Sequence, residues 1–172
     1  MRVEVVEAGA DEASIVANLV ELYLYDFSEL GGPPIGEDGR YGFPFLDDYW
    51  REDDLYPFLI RVDRALAGFA LVAERRIFEP GEEGHEMMEF FVLRGYRRRG
   101  VGREAARQLF LRFSGRWWVG ELASNQPAIA FWRRVIGELT GGNYAEEESN
   151  RGWGPHVMQR FAVVTPMDAP SP

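Results

Sequence analysis

The chain has 172 residues, 46% of them hydrophobic and 14% aromatic, which is enough apolar content for one folded domain with a substantial core and argues against disorder. Its 28 acids against 19 bases give a formal net charge of -9, which argues against general affinity for nucleic acid or an anionic membrane, so any anionic ligand must meet a local basic patch. No cysteine and two histidines leave no thiol nucleophile, no disulfide framework and no evident metal cluster.

The segment "MRVEVVEAG" alternates Val3 and Val5 with charged neighbours and reads as a first strand. Acids follow at once in "ADEAS", where a signal peptide would need an apolar stretch, and no later apolar run is long enough to span a bilayer; a cytoplasmic protein is expected. From Asp11, a plausible cap, to about Leu30, apolar Ile15, Leu19, Leu22, Tyr23 and Phe27 recur at helical spacing. Residues 31–45, "GGPPIGEDGRYGFPF", hold five glycines and three prolines and form a long loop, a kind of segment that often carries function. "LDDYWRED" suggests a short helix. "YPFLIRVD", "RALAGFALVAERR" and "HEMMEFFVL" are three successive strands, turning at Asp63-Arg64 and at 79–84.

A helix then starts near Arg99 or Gly100. Val101, Ala105, Leu109 and Phe113 share one face, Ala106 and Phe110 lie beside them, Arg103, Arg107 and Arg112 point outward, and Gly115 is a stop. "RWWVGEL" is a strand, "SNQPAIAFWRRVI" a capped helix with Pro127 in its first turn, and "HVMQRFAVV" a last strand. The domain is expected over 1–165, with 166–172 a disordered tail.

The junction "RRRGVG" concentrates positive charge where an apolar strand meets a helix. A helix N-terminus exposes unpaired N–H groups and a partial positive charge, glycines let a ligand approach the backbone, and guanidiniums add charge-assisted hydrogen bonds. A pyrophosphate suits that combination. The stretch supplies neither the P-loop spacing nor G-x-G-x-x-G.

With "EFFVLRGY" before it, the junction resembles motif A of the GNAT family of acyl-CoA-dependent N-acetyltransferases, [Q/R]-x-x-G-x-[G/A] after V-x-x-x-[YF]. Arg97, Gly100 and Gly102 fill the first pattern, and Val92 and Tyr96 the second. A second motif, N-x-x-A-x-x-[LF]-[YF], is matched by Asn125, Ala128 and Phe131, with Trp132 at the last place. The resemblance spans roughly residues 2–164. It implies an α+β (α/β) fold: a mixed, mostly antiparallel central sheet with a splayed, bulged strand, flanked by helices.

The resemblance further implies acetyl-CoA as cosubstrate, with no metal. Its pyrophosphate would lie on the backbone amides of Arg98, Arg99, Gly100, Val101 and Gly102, with Arg97 and Arg103 nearby. Its pantetheine arm would run along Phe91, Val92 and Leu93, and Asn125, Phe131 and Trp132 would contact the arm or wall the cleft. The implied activity is acetyl transfer to a primary amine of a small molecule or peptide; a non-catalytic acyl-CoA-binding module is the alternative. The acidic "FLDDYWREDD" favours a cationic acceptor, aromatic Tyr41, Phe43, Phe45, Tyr49 and Trp50 either wall the acceptor site or anchor the loop, and a homodimer stays open.

An ammonium acceptor must lose a proton before it attacks. Glu89, inside an apolar run, is the favoured base and Glu86 the alternative; they differ in strand parity, so a bulge between them decides which faces the cleft. His85 reads better as a turn residue than as a base. Many members have a tyrosine acid where Trp132 stands, and an indole is no acid, so Tyr144 or water is left to protonate the leaving thiolate.

Overall fold

The computed structural model describes residues 1–76, 83–151 and 154–164. Most of the turn expected at 79–84 and all of the tail at 166–172 lie outside them. The elements are β1 (Val3–Glu7), α1 (Ala13–Phe27), β2 (Leu55–Val62), β3 (Ala65–Arg76), β4 (Glu83–Val92), α2 (Val101–Arg112), β5 (Gly115–Leu122), α3 (Gln126–Thr140), β6 (Tyr144–Arg151) and β7 (Gly154–Val163). They form a sheet of order β1-β2-β3-β4-β5-β7-β6. Every neighbouring pair is antiparallel except β4 and β5.

That one parallel pair is short. His85, Glu86 and Met87 lie opposite Trp117, Trp118 and Val119, and no further register joins the two strands. Beyond Met87, β4 continues against β3 as far as Val92, while β5 runs along β7 to Leu122. The two strands therefore part, leaving a slot between the C-terminal halves of β4 and β5.

Apolar side chains cover both sheet faces. On one, Val16, Leu19, Val20 and Leu24 of α1 pack on Leu59, Phe69, Leu71 and Phe91. The other carries α2 and α3, whose Ala106, Leu109, Phe110, Trp132 and Ile136 bury Phe58, Val72, Trp117 and Phe161. The buried stripe of α1 is shifted from the expected one: Leu22 is exposed, and Val16, Val20 and Leu24 take the core side. The helix start also differs. A 3-10 turn, Ala10–Glu12, precedes α1, and the Glu12 carboxylate accepts the Gly9 N–H at 3.4 Å, so Asp11 does not cap it.

The long loop is pinned to α1. The Glu21 carboxylate accepts from the N–H groups of Tyr41 (2.9 Å) and Gly42 (3.0 Å), bordering a recess of about 340 Å³ between helix and loop. Tyr41, Phe43, Leu46 and Tyr49 pack into the α1-side core, and the Trp50 indole donates to the Ala8 carbonyl. These aromatics anchor the loop; Phe45 alone among the five is exposed. "LDDYW" is a 3-10 turn, Leu46–Trp50, rather than an α-helix. Strand β6, "YAEEESNR", is not foreshadowed by any apolar alternation.

Candidate active site

The slot and the loop at its end are built by local backbone choices. At Gly68, opposite Val92, a Cβ would sit 2.0 Å from the Phe91 carbonyl oxygen, so only glycine lets β3 approach β4 this closely. After β4 the chain makes a 3-10 turn, Arg94–Tyr96, takes a left-handed step at Arg98 (φ 58) and another at Gly100 (φ 83), the N-cap of α2. The first i→i−4 bond of α2 runs from the Glu104 N–H to the Gly100 carbonyl. The N–H groups of Val101, Gly102 and Arg103 therefore have no helical acceptor and converge at the positive end of the helix. Such a cradle suits a phosphate.

The two glycines of the motif do different work. Gly100 supplies the left-handed turn. A Cβ on Gly102 would press to 3.3 Å from the Phe131 ring and 3.6 Å from Val92, so Gly102 lets the start of α2 dock against α3 and β4.

The arginines also separate. Arg97, expected at the pyrophosphate, turns inward: its Nε donates to the Val92 carbonyl at 2.7 Å, its guanidinium pairs with Asp26 of α1, and it lies 5.4 Å from the Phe91 ring centre. Arg94 joins it on Asp26. Burial pushes the Asp26 carboxyl up, but the bonds from Arg94 and Arg97 outweigh it and hold the group below its ordinary range. Arg98 and Arg99 have no carboxylate partner among the described residues; Arg99 reaches the Gly95 carbonyl and lies over the Tyr96 ring. Arg103 pairs with Glu138 across the α2–α3 surface while well exposed. The local charge open to a ligand thus comes from Arg98, Arg99 and Arg103.

Along the slot, the Phe91 and Val92 side chains are buried, so β4 offers main chain there. Two groups of that main chain are already engaged: the Val92 carbonyl with Arg97 and the Leu93 N–H with the Ala67 carbonyl. Asn125 caps α3, its Oδ1 accepting from the Ala128 N–H at 3.3 Å. Phe131 stacks near Phe90, with ring centres 6.0 Å apart. Trp132, expected as a cleft wall, is 5% exposed and packs on Phe90, Phe110 and Phe131 in the core. Tyr144 pairs with Phe161 and packs on the α3-side core, the face opposite α1.

The two glutamates come together. Leu71 faces Glu89 and Val72 faces Met87, so Met88 is an extra residue in β4, a bulge. Three positions apart would place Glu86 and Glu89 on opposite faces; the bulge returns both to the face covered by α1. Glu86 is 7% exposed and Glu89 is part-buried. Burial raises the Glu89 carboxyl to about 7, opposed by a hydrogen bond from the Tyr23 hydroxyl and reinforced by the nearby charge of Glu86. His85 is on the other face, with its ring 4.8 Å from Phe113 and 5.3 Å from Trp117, and burial lowers its pKa.

Tyr23 is the site residue that sequence reasoning passed over, because its place on an amphipathic helix reads as core. Its ring does pack near Phe27, Phe69 and Phe91, at 5.3, 5.9 and 5.8 Å between centres. Only the hydroxyl departs from that role.

A sheet split between a bulged strand and its parallel neighbour, with a helix N-terminus at the split, is the architecture of the acyl-CoA-dependent acetyltransferases. The sequence profile described as the acetyltransferase (GNAT) family matches residues 19–137, and the chain belongs to that family. Among solved structures it is similar to an acetyltransferase from Thermus thermophilus, with 14% identity, TM-score 0.65, and 95% of this chain and 98% of the other covered. It is similar also to the ribosomal-protein-S18-alanine N-acetyltransferase of Escherichia coli, with 13% identity, TM-score 0.63 and 94% of each chain covered. An aminoglycoside 6'-N-acetyltransferase from Acinetobacter baumannii aligns at 15% identity and TM-score 0.60, covering 78% of this chain and 89% of that one. A search of curated proteins finds no match. Among the described residues no group of three or more His, Asp or Glu could hold a metal, and no helix is long and apolar enough to cross a membrane.

Proposed function

We propose that this protein transfers the acetyl group of acetyl-CoA to a primary amine, with Glu89 as the general base. One observation carries the reading: a carboxyl raised to about 7 stands two residues beyond the last β4–β5 pair, where the slot opens. A base with that affinity is partly ionised at neutral pH and can still hold an ammonium proton.

The residues present fit an acyl-CoA. Val101, Gly102 and Arg103 N–H groups would hold the pyrophosphate, with Arg98, Arg99 and the Arg103 side chain adding charge. Main chain of β4 from Met88 to Phe91, short of the Val92 carbonyl that Arg97 occupies, would pair with the pantetheine arm, and Asn125 would meet it from α3. Acetyl-CoA supplies the activated acyl group. The chain supplies position and a proton acceptor: Glu89 takes the ammonium proton and the free amine attacks. Trp132, buried in the core, offers no acid and Tyr144 lies on the opposite sheet face, so as the C–S bond breaks the thiolate gains, through water, the second proton that the acylated nitrogen gives up.

The acceptor approaches from the α1 face, the side that Glu86 and Glu89 share. Two carboxylates there favour a cationic amine over a neutral one.

The deciding experiment assays a panel of polyamines, aminoglycosides and amino-terminal peptides by release of coenzyme A thiol, with Glu89→Gln and Glu86→Gln in parallel. Glu89→Gln is expected to lose roughly a hundredfold in turnover below the pKa of the acceptor amine while keeping acetyl-CoA affinity. Loss in Glu86→Gln alone would transfer the role to Glu86. Tight acetyl-CoA binding with no acetylation of any amine would favour the non-catalytic binding module.

A further inference from the structure

We infer that Asp26 is a positioning residue for the acyl donor: by holding Arg97 on the Val92 carbonyl it closes the outer end of the slot edge and fixes where the pantetheine arm stops. The inference rests on the acyl-CoA reading for the occupant of the slot, and on the hydrogen bonds around Arg97 for its geometry.

The Val92 carbonyl and the Leu93 N–H belong to one trans peptide and point in opposite directions. The Leu93 N–H bonds the Ala67 carbonyl of β3 at 2.8 Å. The Val92 carbonyl therefore turns away from β3, to the slot side. It is the last carbonyl of β4, next to the phosphate loop, and the Arg97 Nε–H occupies it at 2.7 Å. A pantetheine amide can pair with β4 only before that point.

Arg97 is held there from α1. Its Nη2 donates to Asp26 Oδ2 at 2.5 Å, and its guanidinium lies 5.4 Å from the Phe91 ring centre. The other carboxylate oxygen accepts from Arg94 Nε and Nη2 at 3.0 and 2.7 Å. Asp26 stands in the last turn of α1, where the helix dipole opposes a carboxylate and no base is present. Its sign is wrong for the helix and right for the loop. Of the four arginines between 94 and 99, it takes two and leaves Arg98 and Arg99 for phosphate.

The arm has a fixed length. With its pairing stopped at Val92 and its pyrophosphate on the α2 amides, the thioester comes to rest at one place along β4, beside Glu89. A loosened Arg97 gives the arm one more carbonyl to pair with, and the thioester slips from the base.

The test follows the Arg97 Nε–H in nitrogen-15 spectra, assigned by its loss in Arg97→Lys. It is expected to stay protected from exchange when coenzyme A is added, and to exchange at least about tenfold faster in Asp26→Asn. A signal that loses its protection on coenzyme A binding makes Arg97 a phosphate ligand and overturns the inference. In the acetylation assay Asp26→Asn should lower kcat about tenfold while KM for acetyl-CoA changes less than about threefold. The same loss should appear with S-acetyl-pantetheine, which carries the arm without the phosphates, and Asp26→Glu should recover part of it. Arg94→Ala breaks the same cluster without freeing the Val92 carbonyl, so its kcat should match the wild type. An equal loss in Arg94→Ala, or a loss in Asp26→Asn confined to acetyl-CoA, overturns the inference. Should Asp26→Asn fail to fold, protection of the wild-type signal with coenzyme A bound still decides, and Arg97→Lys, whose single ammonium cannot span Val92 and Asp26 as the fork does, should show the same kcat loss. The spectra need no turnover, so a protein that binds coenzyme A and acetylates no amine counts against the acetyltransferase reading alone.

Discussion

Arginines that look equivalent in "RRRG" are three different residues once folded. Arg97 spends its guanidinium on the Val92 carbonyl and Asp26, and Arg98 and Arg99 remain toward solvent at the α2 N-terminus. Their substitutions should therefore separate. Arg99→Ala is expected to weaken acetyl-CoA binding by on the order of 1 kcal/mol, more at low salt, with the denaturation midpoint unchanged. Arg97→Ala should lower stability by about 1–3 kcal/mol, because it leaves the Val92 carbonyl without its donor and Asp26 with Arg94 alone. Calorimetry with urea denaturation distinguishes the two, and a pure affinity loss in Arg97→Ala would return that side chain to the phosphate. Position in the motif was legible from sequence and direction was not, since direction depends on Asp26, 71 residues away.

At the scale of elements, the strand-to-helix junction, the outward arginines of α2, the cap at Asn125 and the family order of elements could be read because each is written in consecutive residues. The bulge at Met88 could not, for it exists only in the register of β4 against β3. The same reason hid which glutamates share a face. Strand β6 escaped because it is the sheet edge: Glu146, Glu147 and Glu148 break any apolar alternation, and charge on an edge keeps it from pairing with other chains. The close approach of β3 to β4, whose other edge borders the slot, depends on Gly68. A methyl there would fall on the Phe91 carbonyl, and backbone on both sides cannot swing away as a flexible side chain would. Gly68→Ala should cost about 2–4 kcal/mol in urea denaturation and weaken acetyl-CoA binding, because β4 must shift where it borders the slot. An unchanged midpoint would mean that β3 and β4 are less tightly apposed than this.

Across the whole molecule, the charges that govern stability against pH do not all belong to the active site. Glu121 of β5 is 6% exposed, and neither of its oxygens has a hydrogen-bond partner; the same is true of Oε1 of fully buried Gln159 on β7. Burial pushes the Glu121 carboxyl to about 8, with Gln159 relieving part of the shift and Glu146 adding to it. The folded chain then holds a proton that the unfolded chain has released from pH 4.5 upward, so the stability it contributes is complete below 4.5 and is lost as pH rises toward 8. Glu89 has the same sign up to about 7. Asp26, Glu104 and Glu146, lowered by their net interactions with arginines and neighbouring donors, lose their contribution only as pH falls through the acid range, and His85, lowered by burial, adds a smaller rise near its ordinary value. Stability should therefore peak in mildly acidic solution and decline toward pH 8. Glu121→Gln keeps the shape and a donor but removes the titration. At pH 5 it should match the wild type in urea denaturation, and at pH 8 it should be more stable, by on the order of a few kcal/mol. An advantage of equal size at both pH values would show that packing, not the proton, distinguishes the two side chains.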